Sequence, residues 1–310
     1  MVKRTFSTFS LLALLFAVVY GGNYLGNVNY GVVALATIFS TLALYEFYRL
    51  MQHMGAKPRM FLGLLVGALF IPTLYFGASK GEVTTQSEIA MLVPAGVLIA
   101  YSLYLLRSQK IPEWLKQLST GFGILYLPFM ISFFVLLVAK YELNGALLCV
   151  WALLATKFTD IGGLLGGMLA CKIKGKENTH KLAPNISPNK TWEGVFGGML
   201  CSMIMGASLI AIFNVCGAWQ ITSAGTAEQI ASALKLSNGE FTWWMGALCA
   251  LPMSITSVVS DLLESVIKRN AGDKDSGATI PGMGGALDLL DSLVLAAPVA
   301  YLVIRVVVIA

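Results

Sequence analysis

Long apolar segments recur along almost the whole of this 310-residue chain. A helix needs about 20 apolar residues to cross the hydrocarbon core of a membrane, and about nine segments approach that length. Only 12% of the residues are charged, against roughly 25% in soluble domains. The sequence therefore predicts an all-α polytopic membrane protein with about nine transmembrane helices. The predicted spans are residues 6–22, 28–50, 60–78, 89–107, 120–140, 143–170, 191–216, 241–267 and 286–309.

The basic residues predict the orientation of these spans. Of the 21 Lys and Arg residues, sixteen fall on one side of the predicted topology, four on the other, and Lys157 inside a span. Because basic loops stay on the cytoplasmic side, the N-terminus is predicted to be cytoplasmic. The first apolar segment lacks a small-x-small cleavage site and is expected to be retained as a helix. The sixteen are Lys3, Arg4, Arg49, Lys57, Arg59, Arg107, Lys110, Lys116, Lys172, Lys174, Lys176, Lys181, Lys190, Lys268, Arg269 and Lys274.

The chain divides in character near residue 143. Residues 1–142 are predicted to form lipid-facing scaffold helices with Glu46 as nearly the only ionisable residue inside them. Residues 143–310 carry carboxylates, lysines and glycines at their cytoplasmic ends, and are predicted to be the catalytic region, with cytoplasmic loops 171–190 and 268–287. The cysteines lack C-x-x-C spacing and the two histidines are far apart, so neither a disulfide framework nor a zinc site is predicted.

A polar stripe runs along the eighth predicted span. Its residues share one helix face at 3.6 residues per turn. Such a stripe can merely join helices, but two carboxylates and a lysine on it favour a functional site, because ionisable groups within membranes usually mark one. The stripe consists of Ser254, Ser257, Asp261, Glu264, Ser265 and Lys268.

The sixth predicted span places Lys157 and Asp160 on one face, three residues apart, and continues into the sequence GGLLGG at 162–167. The glycines form two overlapping G-x-x-x-G pairs and are predicted to admit another backbone closely. Asp160 is predicted to be a metal ligand, since a lone acid in a membrane is costly without a cation. Lys157 as its purely structural partner is the alternative.

The sequence SPNKTWEG at 187–194 opens the seventh predicted span. Pro188 ends any preceding helix, and the N–H groups of the following first turn are expected to bind an anion. Lys190 and Thr191 stand where a phosphate would be met. An ordinary helix start with a snorkelling lysine is the alternative.

The segment 265–292 carries four carboxylates and three cationic side chains around the glycine-rich sequence PGMGG at 281–285. The glycines let the backbone approach a ligand. Asp288 and Asp291, three residues apart, are predicted to present two carboxylates to one point. Helix capping explains one of them but hardly both. Oxygen ligands of this kind suit Mg²⁺ bound together with substrate phosphates.

Several motifs occur here in the order found in a known family. KRNAGDKDSGATIPGMGGALDLLDS resembles the C-terminal signature of the CDP-diacylglycerol synthases, or phosphatidate cytidylyltransferases, and the similarity extends to SDLLES, SPNKTWEG, KFTDIGG and YEFYRL. The resemblance implies a nine-helix nucleotidyltransferase of phospholipid biosynthesis in the cytoplasmic (inner) membrane. Such an enzyme joins CTP to phosphatidate at a cytoplasmic active site, and releases pyrophosphate and CDP-diacylglycerol.

The resemblance also implies the site residues and the partners. The implied Mg²⁺ ligands are Asp160, Asp261, Asp288 and Asp291. The implied catalytic residues are Lys190, Asp261, Lys268, Arg269, Lys274 and Asp275. The implied substrate-binding residues are Ser187, Asn189, Lys190, Thr191, Lys268, Arg269, Gly284 and Gly285. The expected partners are CTP, phosphatidate or a similar lipid phosphate, and membrane lipids, with no nucleic acid. A second ion, K⁺, and a homodimeric state are left open.

Two positions depart from the family signature. Met283 replaces the histidine of P-G-H-G-G, and Leu289 replaces the arginine of D-R-x-D-S. Each change removes a polar group able to contact a phosphate or nucleotide. The alternatives are therefore a related CTP-dependent enzyme acting on a polyprenyl or ether-lipid phosphate, and a catalytically silent relative or transporter. A transporter is expected to show internal repeat symmetry, and none is evident in the sequence.

Overall fold

The computed structural model describes residues 28–215, 242–277, 279–280 and 284–306, which form a bundle of helices with one small hairpin. The predicted first span, 6–22, the loop 217–240 and Met283 lie outside the described residues. The helices are α1 (Val28–His53), α2 (Met60–Ser79), α3 (Thr85–Ser108), α4 (Glu113–Gln117), α5 (Ser119–Ile124), α6 (Met130–Lys174), α7 (Trp192–Val215), α8 (Trp243–Asn270), α9 (Ala286–Leu290) and α10 (Ala296–Ile304).

Seven helical segments of the described residues are long and apolar enough to cross a membrane. They correspond to the second to eighth predicted spans and confirm the prediction of an all-α membrane protein. A π-helical turn that contains Pro128 joins α5 to α6, so these helices form one such segment. The seven are Asn29–His53, Met60–Ser79, Thr85–Ser108, Ser119–Lys140, Gly145–Ile173, Trp192–Val215 and Trp243–Asn270.

The chain reverses direction inside α6, although its helical assignment is continuous. Residues eight apart in a straight helix are separated by about 12 Å. A Cβ atom added to Gly145 would instead collide with the carbonyl oxygen of Leu137. The segments on either side of this reversal, Ser119–Lys140 and Gly145–Ile173, are therefore two separate spans.

Glycines allow α6 and α7 to pack with their backbones in contact. A Cβ atom at Gly162 would lie 2.7 Å from the carbonyl oxygen of Gly197, and one at Gly197 would lie 2.9 Å from that of Gly162. A Cβ atom at Gly166 would approach the Gly197 Cα atom to 3.1 Å. The structure confirms the packing role predicted for the glycines at 162–167, since larger side chains would push the helices apart.

A β-hairpin lies between α6 and α7. Strand β1 (Lys181–Ala183) pairs with the antiparallel strand β2 (Ser187–Thr191). The sequence predicted only a loop before the helix start, because Pro188 argues against a strand. Both strands of a two-stranded sheet are edge strands, and edge strands tolerate proline. The Thr191 hydroxyl accepts a hydrogen bond of 3.1 Å from the N–H of Gly194 and so satisfies one of the first-turn donors of α7.

The predicted last span, 286–309, is not a single helix over the described residues. Helix α9 has only five residues, and a turn separates it from α10. Non-helical backbone at membrane depth must find its hydrogen bonds within the protein. The Ser260 hydroxyl supplies two of them, since it donates to the carbonyl oxygen of Asp291 and accepts from the N–H of Leu295 at 3.3 Å.

A buried ion cluster joins three segments at the end of the bundle predicted to be extracytoplasmic. The Glu88 carboxylate in the first turn of α3 is fully buried and forms ion pairs with Lys140 and Arg305. Each of the two cationic side chains is 21% exposed. Because a buried carboxylate is costly unless it is paired, this cluster is expected to stabilise the bundle.

Glu88→Gln is expected to lower the free energy of unfolding by about 2 kcal/mol, because the amide leaves two cations without their counter-charge. Breaking a fully buried pair costs about 3–5 kcal/mol, and the partial exposure of these two cations reduces that cost. Thermal unfolding in detergent measures the change. The matched control is Glu82→Gln, which makes the same substitution at an exposed position. Equal melting temperatures for the two variants would contradict a stabilising role for the cluster.

Candidate active site

The polar stripe of α8 faces the protein interior, as its spacing predicted. Ser254, Ser257 and Glu264 are fully buried, and Lys268 is nearly so. Asp261 and Ser265 are half-buried. Helix α8 therefore places its ionisable side chains against α6, the hairpin and the segment 286–295 rather than against lipid.

Three carboxylates converge at the centre of the candidate site. Asp261, Glu264 and Asp291 each offer an oxygen atom, and these atoms lie within 4.8 Å of one another. Asp261 and Asp291 were predicted metal ligands, whereas Glu264 was recognised only as part of the stripe. Its position one helical turn from Asp261 was the signal that could have identified it.

Two buried polar groups of α8 have no hydrogen-bond partner among the described residues. These are the Ser257 hydroxyl and the Glu264 carboxylate, for which neither oxygen accepts a hydrogen bond. The ammonium group of Lys268 lies 3.1 Å from Glu264 Oε1, in an electrostatic contact only. Buried polar groups without partners are rare in proteins, and a bound cation or ligand is one explanation for them.

Asp288 is not one of the three convergent carboxylates, but it shares the Lys268 ammonium group with Glu264 and so lies next to them. Its Oδ1 atom accepts a 2.8 Å hydrogen bond from Lys268 Nζ, and its Oδ2 atom accepts from the N–H groups of Ser276 and Gly285, each at 3.3 Å. Asp288 therefore caps α9, the role that explains one of the two aspartates.

Lys157 links α6 to the turn that follows α9. Its Nζ atom donates 2.8 Å hydrogen bonds to the carbonyl oxygen of Leu289 and to the hydroxyl of Ser292. It also lies 3.6 Å from Asp160 Oδ2 and 3.7 Å from Asp291 Oδ1. Asp160 is thus beside the acidic group, and Lys157 is more than a partner for Asp160 alone.

Strand β2 brings a further lysine to the site. The ammonium group of Lys190 forms an ion pair with Asp261 Oδ2, and both side chains are 26% exposed. Thr191 is buried and caps α7, while Ser187 is half-buried and Asn189 is exposed. The hairpin therefore presents Lys190 to the acidic group and points Asn189 toward solvent.

The remaining predicted catalytic residues lie at the solvent side of the site. Arg269 is exposed, and its Nε atom donates to the carbonyl oxygen of Ile186 at 3.4 Å, which joins α8 to the hairpin turn. Asp275 and Lys274 are exposed in the loop after α8. The two histidines pair with loop or helix carboxylates, since His53 Nδ1 lies 2.5 Å from Asp273 and His180 Nδ1 lies 2.9 Å from Glu193.

Gly284 and Gly285 directly precede α9. Gly284 has a φ of +101°, a left-handed conformation that favours glycine. It exchanges two backbone hydrogen bonds with Ile280, of 3.0 and 3.2 Å. A Cβ atom on Gly285 would lie 2.6 Å from Glu46 Oε2. Glu46 was noted in the sequence but not included among the site residues.

The net charge of the site is negative, as a cation-binding site requires. Within the described residues, five carboxylates and three lysine ammonium groups meet, which leaves a formal charge of −2 at their ordinary ionisation states. The convergent oxygens, which include the buried carboxylate of Glu264, fit a divalent ion that prefers oxygen ligands. The five carboxylates belong to Asp160, Asp261, Glu264, Asp288 and Asp291, and the ammonium groups to Lys157, Lys190 and Lys268.

Curated proteins named phosphatidate cytidylyltransferase are similar to this chain. A phosphatidate cytidylyltransferase of Mycobacterium leprae (strain TN) is 33% identical over 192 residues, which are 62% of this chain and 51% of that protein. A phosphatidate cytidylyltransferase of Brucella abortus biovar 1 (strain 9-941) is 37% identical over 122 residues, 39% of this chain and 36% of that protein. The chain thus spans about half the length, or less, of the curated relatives it matches.

A family model covers nearly all of the chain. The model of the cytidylyltransferase family matches residues 2–307, a range that includes the polar stripe of α8, the hairpin and the glycine-rich turn. The chain belongs to the cytidylyltransferase family.

Proposed function

We propose that this protein transfers the cytidylyl group of CTP to phosphatidate and forms CDP-diacylglycerol and pyrophosphate. The observation that supports this most directly is the meeting of Asp261, Glu264 and Asp291 with three lysines inside a membrane helix bundle. A site with both signs of charge suits a reaction between two phosphate-bearing substrates and a metal ion. The names of the relatives and the family membership support the same activity.

In the proposed reaction, an oxygen of the lipid phosphate attacks the α-phosphorus of CTP. The new P–O bond forms while the bond to the bridging oxygen of the β-phosphate breaks, and pyrophosphate leaves with that electron pair. A phosphate monoester is largely ionised near neutral pH, so the nucleophile needs no strong general base. The proposed catalytic residues accordingly include no histidine.

We propose Mg²⁺ as the cofactor, with Asp261, Glu264 and Asp291 as its nearest carboxylates. When bound, the ion supplies neutralisation of the charge that develops on the phosphates. Asp160 and Asp288 flank these three and are held by Lys157 and Lys268. That arrangement fixes the outer carboxylates of the site before the substrates arrive.

The lysines and the exposed loop residues orient the substrates in this proposal. Lys190 lies on a hairpin at the rim of the site and can leave Asp261 for a phosphate oxygen, because both groups are partly exposed. Arg269, Lys274 and Asp275 lie at the solvent side, where a soluble nucleotide enters. The lipid phosphate arrives from the bilayer, so the two substrates meet at the membrane surface.

A topology of nine spans with a cytoplasmic N-terminus agrees with the charged contacts. Lys140 and Arg305, both predicted to be extracytoplasmic, meet at Glu88. Lys190 and Lys268, both predicted to be cytoplasmic, meet at the acidic site. Residues predicted to lie on the same side of the membrane thus contact one another. This supports a protein of the inner membrane whose site faces the cytoplasm, where CTP is available.

A cysteine introduced at Asn178 is expected to resist an impermeant thiol reagent in intact cells and to react once the membrane is opened, because Asn178 is an exposed residue of the proposed cytoplasmic side. The control is Glu82→Cys, exposed on the opposite side, which should react in intact cells. Both variants are made in a background without the five native cysteines. Labelling of position 178 from outside would reverse the orientation.

The proposed activity is tested by incubation of the purified protein with labelled CTP, Mg²⁺ and a lipid phosphate, followed by separation of lipid products. Phosphatidate is expected to give a CDP-lipid that requires Mg²⁺. Parallel reactions with a polyprenyl phosphate and an ether-lipid phosphate test the alternative substrates suggested by Met283 and Leu289. A well-folded protein that forms no CDP-lipid from any of the three and shows no Mg²⁺-dependent CTP binding would be a silent relative.

A further inference from the structure

Glu46 is a buried carboxylate of the YEFYRL motif in the N-terminal half, far in sequence from the residues assigned to the site. It lies in α1, is 1% exposed, and is surrounded along the helix by the fully buried residues Ala43, Leu44 and Phe47. A carboxylate in such surroundings is costly unless donors satisfy it. Its hydrogen bonds therefore indicate what the residue does.

All three hydrogen-bond donors that reach Glu46 in the described residues come from the glycine-rich loop, 276–287, of which the structure describes residues 276–277, 279–280 and 284–287. The Oε2 atom accepts from the Ser276 hydroxyl at 3.1 Å and from the N–H of Leu287 at 2.8 Å. The Oε1 atom accepts from the Thr279 hydroxyl. One carboxylate thus ties together the start, an inner position and the end of the loop.

Two glycines of the loop make room for this carboxylate. A Cβ atom on Gly277 would lie 2.6 Å from Glu46 Oε1, and one on Gly285 would lie 2.6 Å from Oε2. The space is too small for any side chain, so the loop backbone closes directly around Glu46. The Glu46 carboxylate fits only when Gly277 and Gly285 are in the positions seen here.

The same loop is bonded on its other side to the acidic site. The N–H groups of Ser276 and Gly285 donate to Asp288 Oδ2, and Asp288 Oδ1 accepts from Lys268, which also contacts Glu264. The N–H of Leu287 is in the first turn of α9, whose end carries Asp291. A shift of the loop would therefore move both aspartates.

Resting on the function proposed above, we infer that Glu46 is a positioning residue that holds the glycine-rich loop, and through it Asp288 and Asp291, in the geometry required for cytidylyl transfer. It acts from a helix of the half that the sequence assigned to a scaffold. A displacement of about 1 Å at a reacting centre is enough to cost about 100-fold in rate.

Two variants of Glu46 separate positioning from a general contribution to folding. Glu46→Ala is expected to lower turnover per folded molecule by about 100-fold. Glu46→Gln keeps one acceptor oxygen for Ser276 and Leu287, while its amide can donate to the Thr279 hydroxyl, so it is expected to recover at least about tenfold of that loss. The control is Tyr45→Ala, the adjacent residue on the outer face of α1. Unchanged turnover per folded molecule in Glu46→Ala would overturn the inference.

A double-mutant cycle tests whether Glu46 acts through the loop. Thr279→Val removes one of its donors and is expected to lower turnover, but to add little further loss in the Glu46→Ala background, because coupled residues are not additive. Fully multiplicative effects of the two substitutions would mean that they act independently, and would contradict the inference.

Hydrogen exchange gives a readout that does not depend on activity. Glu46→Ala is expected to accelerate exchange over residues 276–287, while Tyr45→Ala leaves it unchanged. If the wild-type protein makes no CDP-lipid, the proposed function fails, but this measurement still decides whether Glu46 holds the loop. Equal exchange of the loop in wild type and Glu46→Ala would overturn the positioning role itself.

Discussion

Asp261→Asn is expected to lower CDP-lipid formation by about 10³-fold while the protein remains folded in detergent. A bound divalent ion stabilises transition-state charge by several kcal/mol, and a loss of about 4 kcal/mol corresponds to about 10³-fold in rate. The amide keeps the shape of the side chain and an acceptor for Lys190 but removes the charge that a divalent ion requires. Turnover is measured over a Mg²⁺ titration.

The matched control for this substitution is Asp273→Asn. Asp273, in the loop after α8, pairs with His53 at the end of α1, and both side chains are partly exposed. Such exposed pairs contribute only about 0–1 kcal/mol to stability. Its variant should keep turnover close to that of the wild type. A near wild-type rate for Asp261→Asn at saturating Mg²⁺ would show that the metal assignment to Asp261 is wrong.

Glu264→Gln extends the same test to the carboxylate of the SDLLES motif that was not among the predicted metal ligands. If the ion binds among Asp261, Glu264 and Asp291, this variant should require more Mg²⁺ for half-maximal turnover. The protein is expected to stay folded, because glutamine has nearly the shape of glutamate and Lys268 keeps its ion pair with Asp288. An unchanged Mg²⁺ requirement would restrict the proposed ligands to the two aspartates.

Local patterns in the sequence predict much of the bundle. Apolar length predicts the seven spans, and the 3.6-residue period correctly places Ser254, Ser257 and Glu264 on the buried face of α8. The G-x-x-x-G spacing predicts that another backbone approaches α6 closely, and in the structure that backbone is α7. Each of these features repeats within one or two helical turns, so the residues concerned are neighbours both in sequence and in space.

Other features of the site depend on contacts between distant segments, which no local pattern contains. Glu46 and Leu287 are 241 positions apart, and Lys157 and Leu289 are 132 apart. The break between α9 and α10 is equally hidden, because the turn at 291–295 contains neither glycine nor proline and its freed backbone groups are satisfied by Ser260 of α8. Sequence reasoning found Asp288 as an acidic ligand, but its hydrogen bonds to Ser276 and Gly285 depend on the folded loop.

Lys157→Met is expected to lower the free energy of unfolding by about 2–3 kcal/mol, because a hydrogen bond from a charged group contributes about 1.5–3 kcal/mol and the two partly exposed carboxylates lose their cation. The lysine is 6% exposed and donates to the Leu289 carbonyl and the Ser292 hydroxyl. Methionine matches its length but donates no hydrogen bond, so Asp160 and Asp291 would repel each other without an intervening cation. Denaturation in detergent gives the stability.

The double variant Lys157→Met with Asp160→Asn separates charge compensation from backbone anchoring. Removing one carboxylate relieves part of the repulsion, so the free energy of unfolding is expected to recover in part. Turnover should stay low, because the hydrogen bonds to Leu289 and Ser292 that hold the turn beside Asp291 remain lost. The control is Lys116→Met, which removes a lysine from an exposed pair with Glu113 and should cost at most about 1 kcal/mol. If Lys157→Met is no less stable than Lys116→Met, Lys157 does not organise the acidic site. Full recovery of turnover in the double variant would mean that its role is charge balance alone.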